Sequence, residues 1–334
     1  MLKIDFINVG YGDSILVREY RNEKLAFSML VDTGDCDVGG HYEENRWRIR
    51  PADFLKQEGI DAIDLLVITH LHKDHVGGIL DLAQRINVRE LWAGYLPPED
   101  ARIFAARRTM SPEAESLACA LELYAAALAR MRDRGTRIRR IGEIDTALTD
   151  HLNASFLFGW NRREREHDDV ADSFYHSGTT EKNESALLSL DRFINNMSLV
   201  LLLTYEQRRI LFAGDAYLSF WKERNIPMCD LLKLAHHGHT DAVDARLAAA
   251  FAPQYVVISV SDSRKDDCPS IKAASAFDIL PHLPMFFCTD GAEIPGYCAC
   301  RHHSSVTFQI CGGFLSPVLS SDAGFVSVVH RGAV

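Results

Sequence analysis

The chain has 334 residues, of which 47% are hydrophobic and 25% charged, long enough for one large or two modest domains with a substantial core. A formal net charge of −10 argues against broad, non-specific binding to nucleic acid, which needs a positive surface, though it leaves room for a local basic groove. The longest apolar run, Leu199 to Leu203, is far too short to cross a bilayer; no signal-like pattern precedes the first strand, and the eight cysteines show no C-x-x-C spacing, so they read as reduced thiols of a cytoplasmic protein.

Strand patterns open the chain at 2–7, 15–19 and 26–32, close enough together for an antiparallel meander. Gly10 and Gly12 sit in the first connection, and Asp32-Thr33-Gly34 ends the third strand. A polar stretch over 35–50 leads to Pro51, which starts a helix to about Glu58. The apolar, β-branched run 64–69 reads as a buried strand, and 77–85 as a helix. Val88–Trp92 is a further strand. From Ser111-Pro112-Glu113, Leu117, Leu121, Tyr124, Leu128 and Met131 recur at helical spacing to about Arg134. The arginines at 130, 132, 134, 137, 139 and 140 suit a solvated helix end and an edge strand; a phosphate-contacting patch is the other reading. Leu152–Phe158 reads as a strand, and the charge-rich 161–183 as a long loop. Strands follow at 198–205, 209–213, 230–235, 255–260, 306–310 and 325–330, with helices at 217–224 and 271–280. Cys298 and Cys300 read as a plain loop pair.

Between the strand at 64–69 and the helix at 77–85 lies His70-Leu71-His72-Lys73-Asp74-His75, which puts three histidines and an aspartate within six residues. Ligand-type side chains on a loop at the carboxyl end of a strand occupy the place where α/β sheets carry their sites. Neutral imidazole and carboxylate suit zinc, manganese or iron. Four such groups exceed the three or so protein ligands of one open catalytic metal, so the loop suggests two metals. The pattern returns downstream: Gly214-Asp215 follows the strand at 209–213, and His236-His237-Gly238-His239 follows that at 230–235.

The H-x-H-x-D-H motif followed by Gly77-Gly78 resembles the signature of the metallo-β-lactamase superfamily. Asn8-Val-Gly-Tyr-Gly-Asp-Ser14, Asp32-Thr33-Gly34 and Leu231-Leu-Lys-Leu-Ala-His-His-Gly238 resemble motifs of one branch, the hydrolase domain of the competence DNA-channel protein ComEC and its stand-alone relatives. The resemblance implies an αββα sandwich of two mixed sheets with outer helices, in a single domain over 1–334 with an insertion at about 97–183 that caps the site or receives a protein partner. It implies two divalent cations, zinc or manganese. His70 and His72 would hold one; Asp74, His75 and His236 the other; Asp215 would bridge them, with a hydroxide between. Asp74, Asp215 and His237 would act in catalysis, and Asp13, Asp32, Lys233 and Asn196 would line or brace the site. The expected activity is hydrolysis of a phosphodiester, small or nucleic acid, with an acyl hydrolase (lactone, thioester or β-lactam) and a non-catalytic binding module as alternatives. The sequence departs from the family at 195–198, Asn-Asn-Met-Ser, where most members place another histidine, and from the branch at Cys268-Pro269, where a histidine usually precedes the proline.

Overall fold

The computed structural model describes residues 1–37, 45–101, 110–158, 162–177, 181–262, 268–299 and 302–318. In chain order these form β1 (Leu2–Ile7), β2 (Ile15–Arg21), β3 (Lys24–Val31), α1 (Pro51–Gln57), β4 (Ala62–Ile68), α2 (Lys73–Val76), α3 (Ile79–Arg85), β5 (Asn87–Ala93), α4 (Pro112–Asp133), β6 (Arg137–Arg140), β7 (Ile144–Ala147) and β8 (Leu152–Leu157). There follow α5 (Arg162–Ser177), α6 (Glu181–Asp191), β9 (Val200–Tyr205), β10 (Arg208–Phe212), β11 (Leu231–Lys233), α7 (Ala245–Phe251), β12 (Tyr255–Ile258), α8 (Ile271–Ser275), β13 (Met285–Cys288), β14 (Glu293–Ile294), β15 (Cys298–Ala299), β16 (Ser305–Cys311) and β17 (Phe314–Val318). The expected strand at 325–330 and Cys300 lie outside the described residues, as does the 38–44 part of the expected polar loop.

Two mixed sheets carry the fold, one in the order β17-β16-β1-β2-β3-β4-β5-β6 and the other β13-β12-β11-β10-β9-β8-β7. Each changes from antiparallel to parallel pairing part-way across, at β3–β4 in the first and at β10–β11 in the second. Alternation along the strands sorts side chains into layers. In β4, Leu65 and Val67 join Phe6, Phe212, Leu231 and Phe308 between the sheets, whereas Leu66 and Ile68 face the helices. The outer face of the first sheet packs under α1, α3, α4, α5 and α6; that of the second packs under α7, α8 and Trp221. This is an αββα sandwich.

The stretch 97–183 is woven into this frame. α4 packs against α3 with Leu117, Leu121, Tyr124, Leu128 and Met131 buried, as their spacing predicts. β6 extends the first sheet beside β5, and β7 and β8 pair in the second. The expected loop over 161–183 is instead largely helical. His167, Ala171, Phe174 and Tyr175 lie buried at helical spacing in α5, a stripe hidden among charged neighbours. The helix expected at 217–224 shrinks to a 3₁₀ turn, Leu218–Trp221. No helix among the described residues is long and apolar enough to cross a membrane.

Candidate metal centre

The site forms where parallel strands of both sheets end. β4 runs into Thr69, whose N–H and hydroxyl donate to the buried Asp32 carboxylate at 2.8 and 2.6 Å. The single turn of α2 then sets Asp74 and His75 side by side. The β1–β2 connection closes tightly over this turn. Asp13 N–H donates to the Asp74 carbonyl at 3.1 Å, and a Cβ on Gly12, at φ +140°, would fall 2.3 Å from that same oxygen. Only glycine allows so close an approach.

From the second sheet come Asp215, just after β10, and the histidine pair after β11. His236 and His237 both have left-handed backbone, φ +47° and +50°. That turn sends their rings different ways. His237 Nδ1 contacts the Ser259 carbonyl at 2.8 Å, which aims Nε2 at Asp74 Oδ2 and Asp215 Oδ2, 3.1 and 3.3 Å away. His236 Nδ1 contacts Asp241 at 2.7 Å, and His239 shares that carboxylate. The imidazole that joins the cluster is therefore His237, where His236 was expected.

Asp74, His75, Asp215 and His237 each offer a donor atom to one small volume. His75 Nε2 lies 3.2 Å from Asp215 Oδ2 and 4.0 Å from Asp74 Oδ2. Donors held 2.0–2.1 Å from a tetrahedral cation stand about 3.3 Å apart, so the spacing fits. His75 Nε2 is also buried without a hydrogen-bond partner, while its Nδ1 contacts Asp32 at 2.8 Å. A buried ring nitrogen left over in this way suits a ligand to a cation. His70 and His72 stand next to this group. His70 Nε2 is 3.3 Å from His72 Nδ1 and 4.0 Å from Asp215 Oδ2. Thr69 Oγ1 lies 3.1 Å from His70 Nδ1 and can accept its proton, leaving Nε2 free.

The electrostatics make the same demand. Burial alone would raise the Asp74 and Asp215 carboxyls, but His75 and His237 beside them outweigh it and hold both well below the usual carboxylate range. Burial disfavours charge on His75 and His237 too, yet the surrounding carboxylates raise His75 well above its ordinary value and push His237 up to about 9. Burial and the His75 charge depress His70. Two carboxylates held together, Asp215 buried and Asp74 half-buried, thus require positive charge at one spot, and a divalent cation with neutral imidazole ligands meets that requirement.

The other expected residues fall into two groups. Lys233, fully buried, contacts Asp13, donates to the Gly214 carbonyl at 3.0 Å and lies 3.5 Å from Asp215 Oδ1. Asp13 and Asp32 both lie beside His75. Asn196, by contrast, points away: it accepts from Tyr217 N–H and donates to Ser219, bracing the turn after Asp215. Sequence reasoning passed over Ser198 and Asp191. Ser198 Oγ accepts from Asp215 N–H at 3.1 Å and lies 3.4 Å from His70 Nδ1. Asp191, ending α6, has Oδ1 3.3 Å from His72 Nε2. Neither carries a local pattern that marks it.

Residues 7–149 match the family model of the metallo-beta-lactamase superfamily. The match covers the part of the chain that carries His70, His72, Asp74 and His75. A curated protein with which the chain aligns, Beta-lactamase-like protein 2 homolog of Drosophila melanogaster, is 34% identical over 85 residues, 25% of this chain and 24% of that protein. The chain thus matches about a quarter of its curated relative's length. Among solved structures, the metallo-beta-lactamase fold protein YhfI from Bacillus subtilis is 12% identical, with 83% of this chain and 93% of that one covered and a TM-score of 0.43. A diphosphatase from the PhnP family is 12% identical, covering 93% and 98%, with a TM-score of 0.43. A metal-dependent hydrolase of the beta-lactamase superfamily is 15% identical, covering 93% and 99%, with a TM-score of 0.46.

Proposed function

We propose that the chain is a hydrolase of phosphodiesters, small-molecule or nucleic acid, working with two divalent cations, zinc or manganese. The metal reading is carried by the convergence of Asp74, His75, Asp215 and His237 around a buried ring nitrogen that has no hydrogen-bond partner. In this reading Asp74, His75 and His237 would hold one cation and His70 and His72 the other, with Asp215 beside both sets of ligands. Two cations so held would supply Lewis acidity, steady negative charge on the attacked centre and bring the pKa of a water towards 7.

The chain's own contribution is orientation and charge. Asp32 and the Ser259 carbonyl fix the rings of His75 and His237 through Nδ1, so that each Nε2 faces inward. Lys233 offsets the buried negative charge of Asp13 and Asp215 from behind. The choice of phosphodiester is supported by the ComEC-like motifs at 8–14, 32–34 and 231–238, and by the general fit of paired cations to in-line displacement at phosphorus. Cys268 stands where that branch carries a histidine, so a proton for the leaving group comes from another source, solvent included.

The test is an activity panel with Zn²⁺ or Mn²⁺: a bis-aryl phosphodiester, single-stranded DNA, RNA and an acyl lactone. The expected result is turnover of a phosphodiester, with Asp215→Asn losing more than the roughly 10–100-fold typical of an outer partner of a ligand. Turnover of the lactone alone would reverse the substrate class. Metal-free protein whose behaviour is indifferent to Asp215→Asn would instead mark a binding module.

A further inference from the structure

Three of the four imidazoles at the centre follow one rule: one ring nitrogen faces the cluster while the other rests on an oxygen behind it. For His75 that oxygen is Asp32, for His237 the Ser259 carbonyl, for His70 the Thr69 hydroxyl. His72 has no such oxygen in its own sheet. Its Nδ1 faces His70 Nε2 at 3.3 Å, and its Nε2 is buried and lacks a well-formed hydrogen bond. Oδ1 of Asp191 lies 3.3 Å from Nε2, brought in by the last residue of α6.

We propose that Asp191 is the positioning residue of the His70/His72 half of the centre. Its carboxylate accepts a hydrogen bond from His72 Nε2–H, which selects the tautomer with a free lone pair on Nδ1 and turns that lone pair towards His70. This rests on the two-cation reading above. It gives the stretch between the two halves of the fold a definite task, because α6 reaches the site from the helical layer and from neither sheet. It also compensates for the missing family histidine at 195–198: a half-site with few protein ligands depends more on how firmly those ligands are oriented.

Metal content and affinity test this without reference to turnover. The full chain, Asp191→Ala and Asp191→Asn would be equilibrated with buffered Zn²⁺, analysed for bound metal, and titrated against a chromophoric chelator. The expected result is two cations in the unaltered protein. In Asp191→Ala, affinity for one of the two should fall about 10–100-fold, with the other and the apo-protein's melting temperature unchanged. Asp191→Asn, whose amide oxygen still accepts a hydrogen bond, should recover part of the loss. Two cations bound by Asp191→Ala with unaltered affinity would overturn the proposal and leave the two-cation reading standing. A single cation, or none, in the unaltered protein would overturn both.

Discussion

Asp32 adopts left-handed backbone, φ +58°, a conformation that aspartate tolerates better than most residues. From there its carboxylate accepts from Thr69 N–H, the Thr69 hydroxyl and His75 Nδ1, and burial holds the group above its ordinary pKa despite the His75 charge beside it. Asp32→Asn keeps the shape and the backbone preference. Its amide oxygen can still serve Thr69 N–H, but the NH₂ then meets His75 Nδ1. The ring must turn to the tautomer that carries its proton on Nε2, where a lone pair is needed. The expected outcome is a fall of about 10–100-fold in metal affinity, measured by chelator competition, with near-normal apo stability. Asp32→Ala should differ, leaving a buried Thr69 N–H without an acceptor and lowering apo stability by about 1–3 kcal/mol in denaturant melts. Asp32 was legible from its place at a strand end in a recognisable motif. The placing of His237 in the cluster and His236 outside it was not, since it follows from two consecutive left-handed residues that no residue-type pattern announces.

At the scale of elements, the approach to α1 is tied to the second sheet by Asp290, just after β13. Arg48 Nε donates to it at 3.0 Å, His302 Nδ1 lies at 2.8 Å and Gly291 N–H at 2.9 Å; Arg48 also reaches Asp262 and Ser261. Burial alone would raise the Asp290 carboxyl, but these donors outweigh it and hold the group below its ordinary value. A depressed carboxylate contributes stability above the unfolded-state value of about 3.9 and loses it as pH falls through the lower folded-state value. Asp290→Asn should therefore be less stable than the unaltered chain by about 1–3 kcal/mol at pH 7, with the gap narrowing below about pH 4, as read by urea melts across that range. A gap independent of pH would contradict this. Element type was readable in the sequence wherever apolar spacing was strong, as in β4 and α4. It was not readable in α5, where buried His167, Ala171, Phe174 and Tyr175 are outnumbered by charged neighbours, nor after Asp215, where Asn196 holds a 3₁₀ turn in place of a helix.

For the whole molecule, the layered architecture could be anticipated from motif resemblance, because ligand-type residues recur after strands in both halves. The place of 97–183 could not, because β6 pairs with β5 and β8 with β9 across long stretches of chain, which a local pattern does not reveal. The donor set is likewise divided: Asp74 and His75 belong to the first sheet's loops, Asp215 and His237 to the second's. A cation held by all four is therefore a clasp between two layers, and its binding and their docking must strengthen one another in equal measure. Cation at a hundredfold above its dissociation constant should add about 2.7 kcal/mol to the folding free energy of the entire molecule, visible as a melting temperature that climbs with free metal. By the same reciprocity, anything that loosens the seam between the layers releases the metal, so that chelation and unfolding become two routes to one open state.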